Sequence, residues 1–373
     1  MFSLNVKMSL IERFINACKE SDLENVKNCL ERGVDVNTVA EIGPEEERVA
    51  VSGLTIAAGK GYLDLLDLLL SQPGINVNLP TLCYGELTLL MFACNEGNHQ
   101  IVRRLLQVPA INIFFKDSEG NTALHVAAYL GHSKCLEELA KIPGVNWNCK
   151  DNDGLTPLFL ALHWGHPDCV RIIASQPRVD VADKTNDGET LVEAAMKGYY
   201  EDLGACKECI QILADINEVD WNIKMSTGDT PIVHCLYHGY TELLEIFAES
   251  PWVNLNIQDD DGDTPIIWCL KNEMMEEFKI ILACPRVELG SAITWAFEKK
   301  KMNIVEQLGQ ALDRRFAEAK NRFQISWRGG ASGSAGMRAE MSNMKIGLQL
   351  ASFRQKIQAV RKMDESNNNY EEK

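Results

Sequence analysis

Apolar runs of helical period alternate with short polar stretches rich in Gly, Pro, Asn and Asp from about residue 8 to residue 312. One frame recurs: Gly-x-Thr-x-x-x-x-Ala, a Gly a few residues on, an apolar Leu/Ile/Val run, then often Pro and a Val-Asn or Val-Asp pair. Ala57, Ala93, Ala127, Ala161, Ala194, Cys235 and Cys269 occupy its small position, at steps of 36, 34, 34, 33, 41 and 34. Each copy predicts two helices. Thr at the start can cap free backbone N–H groups, and Pro in the first turn gives up no needed donor. The small residue lets a neighbouring copy approach, and the Gly ends the first helix. Aliphatics such as Cys169, Val170, Ile172 and Ile173, or Leu243, Leu244, Ile246 and Phe247, then mark a second, outer helix. Pro73, Pro109, Pro143, Pro177, Pro251 and Pro285 stop it, and an Asp-x-x-Gly turn forms a finger before the next copy.

No single pair of such short helices can bury its apolar flank, so the pairs are expected to stack. The expected fold is all-α: a solenoid of about nine helix pairs with β-turn fingers, followed by a linker and an amphipathic helix. Residues 1–38 read as an N-terminal capping pair, with Ala17 in the small position. Residues 39–51, with Glu41, Glu45, Glu46 and Glu47 around Pro44, read as an acidic loop insertion. The repeats proper span 52–290, and 291–312 read as a degenerate C-terminal capping pair around Ala296. A flexible linker is expected over 313–336, containing Gly329 to Ser334, and a basic amphipathic helix with a disordered tail over 337–373. The 41-residue step places an extension of helix or loop around Tyr199–Ala205.

The copy Gly120-Asn121-Thr122-Ala123-Leu124-His125-Val126-Ala127-Ala128, closed by Gly131-His132, carries a family likeness. So do Gly154-Leu155-Thr156-Pro157-Leu158, Gly228-Asp229-Thr230-Pro231-Ile232 and Gly262-Asp263-Thr264-Pro265-Ile266. Over roughly residues 8–312 the chain resembles the ankyrin-repeat family, marked by a Thr-Pro-Leu-His-x-Ala core at a period of about 33 residues. The resemblance implies protein partners held on a concave face built from finger tips and the exposed ends of the inner helices.

Charge sharpens the choice of partner. The formal net charge is −16, from 53 acidic and 37 basic side chains, which argues against a phosphate backbone and for basic or amphipathic protein segments. From Asp313 onward twelve basic and seven acidic residues make a tail of +5, leaving −21 on residues 1–312. Twelve cysteines lie scattered in apolar stretches with no secretory signal ahead of them, and read as reduced thiols. No run is long and apolar enough to span a membrane. A soluble cytoplasmic or nuclear protein without membrane insertion is expected.

Searching the chain for chemistry returns little. Cys206 and Cys209 form the only Cys-x-x-Cys, with no second pair at zinc spacing. His125 sits in the frame's own Thr-x-x-His, where its ring is expected to tie neighbouring turns. No phosphate loop, dinucleotide fingerprint, zinc-protease motif or nucleophile elbow is present. No catalytic residue, metal or cofactor is assigned.

The partner surface is expected at two rows. One is acidic, at the finger positions Glu119, Asp153, Asp187, Asp229, Asp260, Asp261 and Asp263. The other is an interrupted stripe of Tyr129, Leu130, His163, Trp164, Tyr237 and His238 at the ends of inner helices. In the tail, Ile346, Leu350, Phe353, Ile357 and Val360 fall at 4-3-4-3 spacing beside Arg354, Lys356, Arg361 and Lys362. Such a helix can dock on the chain's own acidic surface, on a partner, on a second copy, or against the last repeat. The expected function is a non-catalytic scaffold or adaptor; the alternative is a substrate-receptor subunit of a ubiquitin-ligase or other modification complex.

Overall fold

The computed structural model describes residues 9–42, 49–79, 87–198, 203–216, 218–259 and 261–328, with the single positions 351 and 355. It divides into two units, 1–220 and 221–373.

The first unit holds six consecutive helix pairs: α1 (Leu10–Lys19) and α2 (Leu23–Glu31), α3 (Gly53–Lys60) and α4 (Leu63–Leu70), α5 (Leu89–Asn95) and α6 (His99–Leu105), α7 (Ala123–Tyr129) and α8 (Ser133–Ala140), α9 (Pro157–His163) and α10 (Pro167–Ala174), α11 (Leu191–Gly198) and α12 (Leu203–Ala214). The odd-numbered helices pack in sequence order into an inner row and the even-numbered ones into an outer row. The second unit repeats this with α13 (Pro231–His238) and α14 (Thr241–Glu249), α15 (Pro265–Lys271) and α16 (Met275–Ala283), α17 (Gly290–Glu298) and α18 (Met302–Arg328).

The frame residues do the work assigned to them. Ala57, Ala93, Ala127, Ala161 and Ala194 are fully buried between inner helices, and Cys235, Cys269 and Ala296 are as buried in the second unit. Thr88 and Thr156 accept from the N–H groups of Met91 and Phe159, capping α5 and α9. Pro157, Pro231 and Pro265 open their helices at no hydrogen-bonding cost. Gly131, at φ +75°, lets the ring of His166 come so close that a Cβ would lie 2.7 Å from Nδ1.

Polar side chains stitch successive pairs. At the edge after five of the outer helices, an asparagine donates Nδ2–H to a carbonyl of the next copy and accepts, through Oδ1, the N–H two residues further on. Asn37 bridges Gly74 O (2.9 Å) and Asn76 N (2.8 Å), and Asn148 bridges Arg178 O (2.7 Å) and Asp180 N (2.9 Å). Asn78, Asn222 and Asn256 do the same. Near the inner-helix ends, Asn98, His132 and His166 reach back to the carbonyls of Ala58, Asn95 and Tyr129. Along the outer row of the first unit, Arg104 pairs with Asp67, Arg103 with Glu138 and Arg171 with Glu208. Surface pairs of this kind contribute little each. Glu138 is different, being only 5% exposed in its side chain. The hydrogen bond from Arg103, helped by Lys141, holds its carboxyl down to about 2.

Two expectations need correction. Residues 39–42 and 49–51 are strand rather than loop: β1 (Val39–Ile42) and β2 (Val49–Ser52) pair antiparallel, with Val39 opposite Ser52 and Ile42 opposite Val49. The architecture is therefore mostly helical rather than purely so. The β-branched residues at both ends of the segment favour a strand ladder, Glu41 lies within β1 opposite Ala50, and residues 43–48, with the other glutamates, lie outside those described. The linker expected from 313 does not begin there, because α18 runs without a break to Arg328. Leu, Ala, Glu, Lys and Arg dominate 312–322, and the first Gly pair comes only at Gly329-Gly330. The longer sixth pair is an extension of its outer helix, since α12 has 12 residues where most outer helices have seven to nine. Residues 199–202 and the tail positions Ile346, Leu350, Phe353, Ile357 and Val360 lie outside the described residues.

Candidate protein-interaction surface

In the first unit the stripe is set by the ends of α7 and α9. Tyr129 closes α7 and Trp164 is the residue after α9, so stacking of the two helices brings one ring to the other. Their centroids are 5.0 Å apart, edge to face. Both remain open to solvent, Tyr129 at 45% and Trp164 at 41%, and Leu130 beside them at 38%. His163 is placed differently. It is half-buried, stacks on Phe159 at 6.3 Å and meets Trp164 at 5.4 Å, so it supports the cluster from beneath. Its Nδ1 is buried with no protein partner among the described residues.

The acidic row lies on the fingers, and the fingers are in register. The N–H of Asn152 donates to Glu119 O at 2.9 Å, and that of Asn186 to Asp153 O at 3.1 Å. Glu119, Asp153 and Asp187 are thereby aligned, all exposed. Lys150 ties the base of two fingers by donating to Asp183 and to Lys184 O.

The second unit carries its own pair. Tyr237, 52% exposed, meets Trp268 edge to face at 4.9 Å. Sequence reasoning missed Trp268, which sits one residue before the small Cys269, where the frame elsewhere places Val126 or Leu160. His238 is exposed and lies against the rings of His234 (4.3 Å) and Tyr240 (5.4 Å). Asp261 is an exposed tip, but Asp229 and Asp263 follow the finger glycine and are half-buried at its base, and Asp263 is ion-paired with Lys271. Asp260 lies outside the described residues. Exposed Phe114 (62%) and Trp252 (44%), on the asparagine-stitched edge, were also missed, because both stand in or beside apolar runs that read as core.

One arrangement has the appearance of chemistry. Cys149 Sγ lies 3.8 Å from His125 Nδ1, and Thr122 Oγ1 is 2.9 Å from the same nitrogen. The backbone N–H of Thr122 also donates to Nδ1 (3.1 Å), so Nδ1 is an acceptor and Nε2–H donates to Leu155 O (3.1 Å). Burial pushes the His125 ring below its ordinary value and the Cys149 thiol above its own. Both groups are held neutral, the opposite of an activated thiolate–imidazolium pair. The expected inter-turn tie by His125 is the observed one. Among the described residues, no three or more His, Cys, Asp or Glu gather as a metal would require. No described helix is long and apolar enough to cross a membrane.

The family model of ankyrin repeats, in three copies, matches residues 54–151 and 131–204. A probable E3 ubiquitin-protein ligase of Oryza sativa subsp. japonica is 34% identical over 126 residues, covering 32% of this chain and 22% of that protein. An E3 ubiquitin-protein ligase of Arabidopsis thaliana is 33% identical over 123 residues, covering 33% and 22%. A putative ankyrin repeat protein of Rickettsia bellii (strain RML369-C) is 31% identical over 118 residues, covering 32% of this chain and 60% of that protein. The chain thus spans about a fifth of the plant relatives' length. Ankyrin repeats are protein-interaction modules, and by their frame, their helix pairs and this match residues 54–204 of the chain are ankyrin repeats.

Proposed function

We propose that the protein is a non-catalytic scaffold or adaptor, built from nine repeats of one kind with degenerate first and last copies, that holds a basic or amphipathic segment of another protein. The observation that carries this reading is the Tyr129–Trp164 pair, two large rings locked edge to face yet more than two-fifths exposed. Rigid exposed aromatics are effective anchors because little side-chain freedom is lost on docking. The aligned carboxylates of Glu119, Asp153 and Asp187 supply the field that favours Lys or Arg in the occupant.

A peptide selection tests the reading. Random peptides displayed on phage and selected on the full chain are expected to be rich in Lys and Arg and to bind less tightly as salt rises. The Tyr129→Ala/Trp164→Ala variant is expected to keep its helical circular dichroism and lose those peptides. Unchanged binding by the folded double variant would remove the stripe from consideration.

The second reading, a substrate-receptor subunit of a ubiquitin ligase, is favoured by the names of the plant relatives, whose similarity falls on about a third of this chain. Under it the tail docks on the modifying machinery. Reconstituted ubiquitylation with the full chain separates the two: conjugates that depend on this protein support the receptor, and none support the scaffold.

A further inference from the structure

The asparagine stitching lapses at Ala182 and at Phe114, and a second binding site follows from the lapse at Phe114. Five asparagines, Asn37, Asn78, Asn148, Asn222 and Asn256, bridge a carbonyl and an N–H of the next turn with one carboxamide. Aligning the Val-Asn segments puts Phe114 at the equivalent position between Ile113 and Phe115. Its own turn is formed in the usual way, with the Phe114 N–H donating to Asn112 Oδ1 at 3.0 Å. The turn it should stitch to is that of Gly144 and Asn146. Among the described residues the Gly144 carbonyl accepts, and the Asn146 N–H donates, no protein hydrogen bond. Both residues are exposed, and so is Phe114, at 62%.

A phenyl group here contributes nothing to the stitching and leaves a large apolar surface in water. It forfeits two hydrogen bonds that the same position makes in five other copies. In the five stitched copies a primary carboxamide satisfies the equivalent acceptor and donor. We propose that this gap is a docking site for a protein segment that inserts an Asn or Gln side chain between the turns and lays a neighbouring apolar residue on Phe114. The site lies on the edge after the outer helices, uses no residue of the aromatic stripe, and goes beyond the function proposed above. A carboxylate occupant is disfavoured because it cannot donate to the Gly144 carbonyl, and an aliphatic one can make neither bond.

The experiment uses the full chain and its Phe114→Asn and Phe114→Ala variants. In Phe114→Asn the rung is expected to close, with slower hydrogen exchange at the Asn146 amide and a higher Tm. Random phage-displayed peptides are selected on the wild-type chain and counter-selected on Phe114→Asn. The surviving peptides are expected to hold Asn or Gln at one fixed position next to an apolar residue. Replacing that amide in the synthetic peptide is expected to weaken binding about tenfold or more, since Asp loses the donor to the Gly144 carbonyl and Leu loses both hydrogen bonds. Phe114→Ala is expected to weaken every peptide while keeping the preference for the carboxamide. The proposal is overturned by unchanged Asn146 exchange in Phe114→Asn, by peptides that bind that variant equally well, or by a surviving pool with no fixed amide.

Discussion

The repeats around residue 125 and those of the second unit follow the same frame with different polar fittings. In the first, Thr122 finds His125 three residues on, and the ring passes the connection to Leu155 in the next finger. In the second, Val233 and Ile267 stand where His125 would be, and the hydroxyls of Thr230 and Thr264 are buried without a protein partner among the described residues. The turns between inner and outer helices differ likewise. Gly131 and Gly165 adopt left-handed backbone and take His166 and Cys206 against them, whereas Glu273 and Lys300 are forced into the same region at φ +59° and +52°. Arginines compensate in part: Arg286 donates to the carbonyls of Ala248, Ser250, Pro251 and Val253, and Arg315 to those of Leu282, Cys284 and Val287. The contrast teaches that the frame's apolar and small positions suffice to build a helix pair. Its Thr-x-x-His and Gly-His fittings are additions that tie one pair to the next.

The largest effect should come from the glycine turns. Gly131→Ala combines left-handed strain with a Cβ 2.7 Å from His166 Nδ1 and is expected to cost about 2–4 kcal/mol in urea unfolding. Gly239→Ala has the same kind of backbone, φ +68°, and open space, so about 1 kcal/mol is expected from strain alone. Equal losses at the two sites would break the comparison. The converse change, Glu273→Gly, should gain about 0.5–1 kcal/mol by relieving strain at φ +59°.

A smaller difference is expected at the threonines. Thr122→Val removes a hydroxyl bonded to His125 and should lower stability by about 1–2 kcal/mol. Thr264→Val removes one with no protein partner and should be within about 0.5 kcal/mol of neutral, since no bond is lost.

The pH response is the smallest effect and tests the His125 fitting alone. Burial lowers the folded-state pKa of His125, so the unfolded chain binds a proton that the folded chain resists. The stability this group contributes is fully present above the ordinary histidine value of about 6.5 and drains away as pH falls from there toward the lowered value. Urea midpoints of the wild type should fall faster over that window than those of His125→Gln. Parallel lines would contradict the assignment.

Much of the fold was legible because a stacked helix pair leaves few options at certain positions. A small residue must face the neighbour at Ala127 or Cys235, a Gly must turn the chain at Gly131, and a Pro must stop the outer helix at Pro143. Where the frame ends, its guidance ends too. The course of α18 past Leu312 follows from helix propensity and the lack of a breaker before Gly329, signals that a search by repeat passes over. In β1 and β2 the charges of the connection outweighed Val39, Val49 and Val51 on either side. At the candidate surface, Tyr129 and Trp164 were readable from their place beyond the small residue, but the inward stacking of His163 depends on Phe159 beneath it. Phe114 was concealed by its neighbours, since Ile-Asn-Ile-Phe-Phe reads as core until the missing asparagine is noticed.

The most direct test of the interaction surface is an indole NMR titration with a selected basic peptide. The account predicts that the Nε1–H resonance of Trp164, 41% exposed, shifts on binding, while that of Trp147, buried to 7% at the opposite edge of the frame, does not. A saturating peptide that leaves Trp164 unmoved would contradict it.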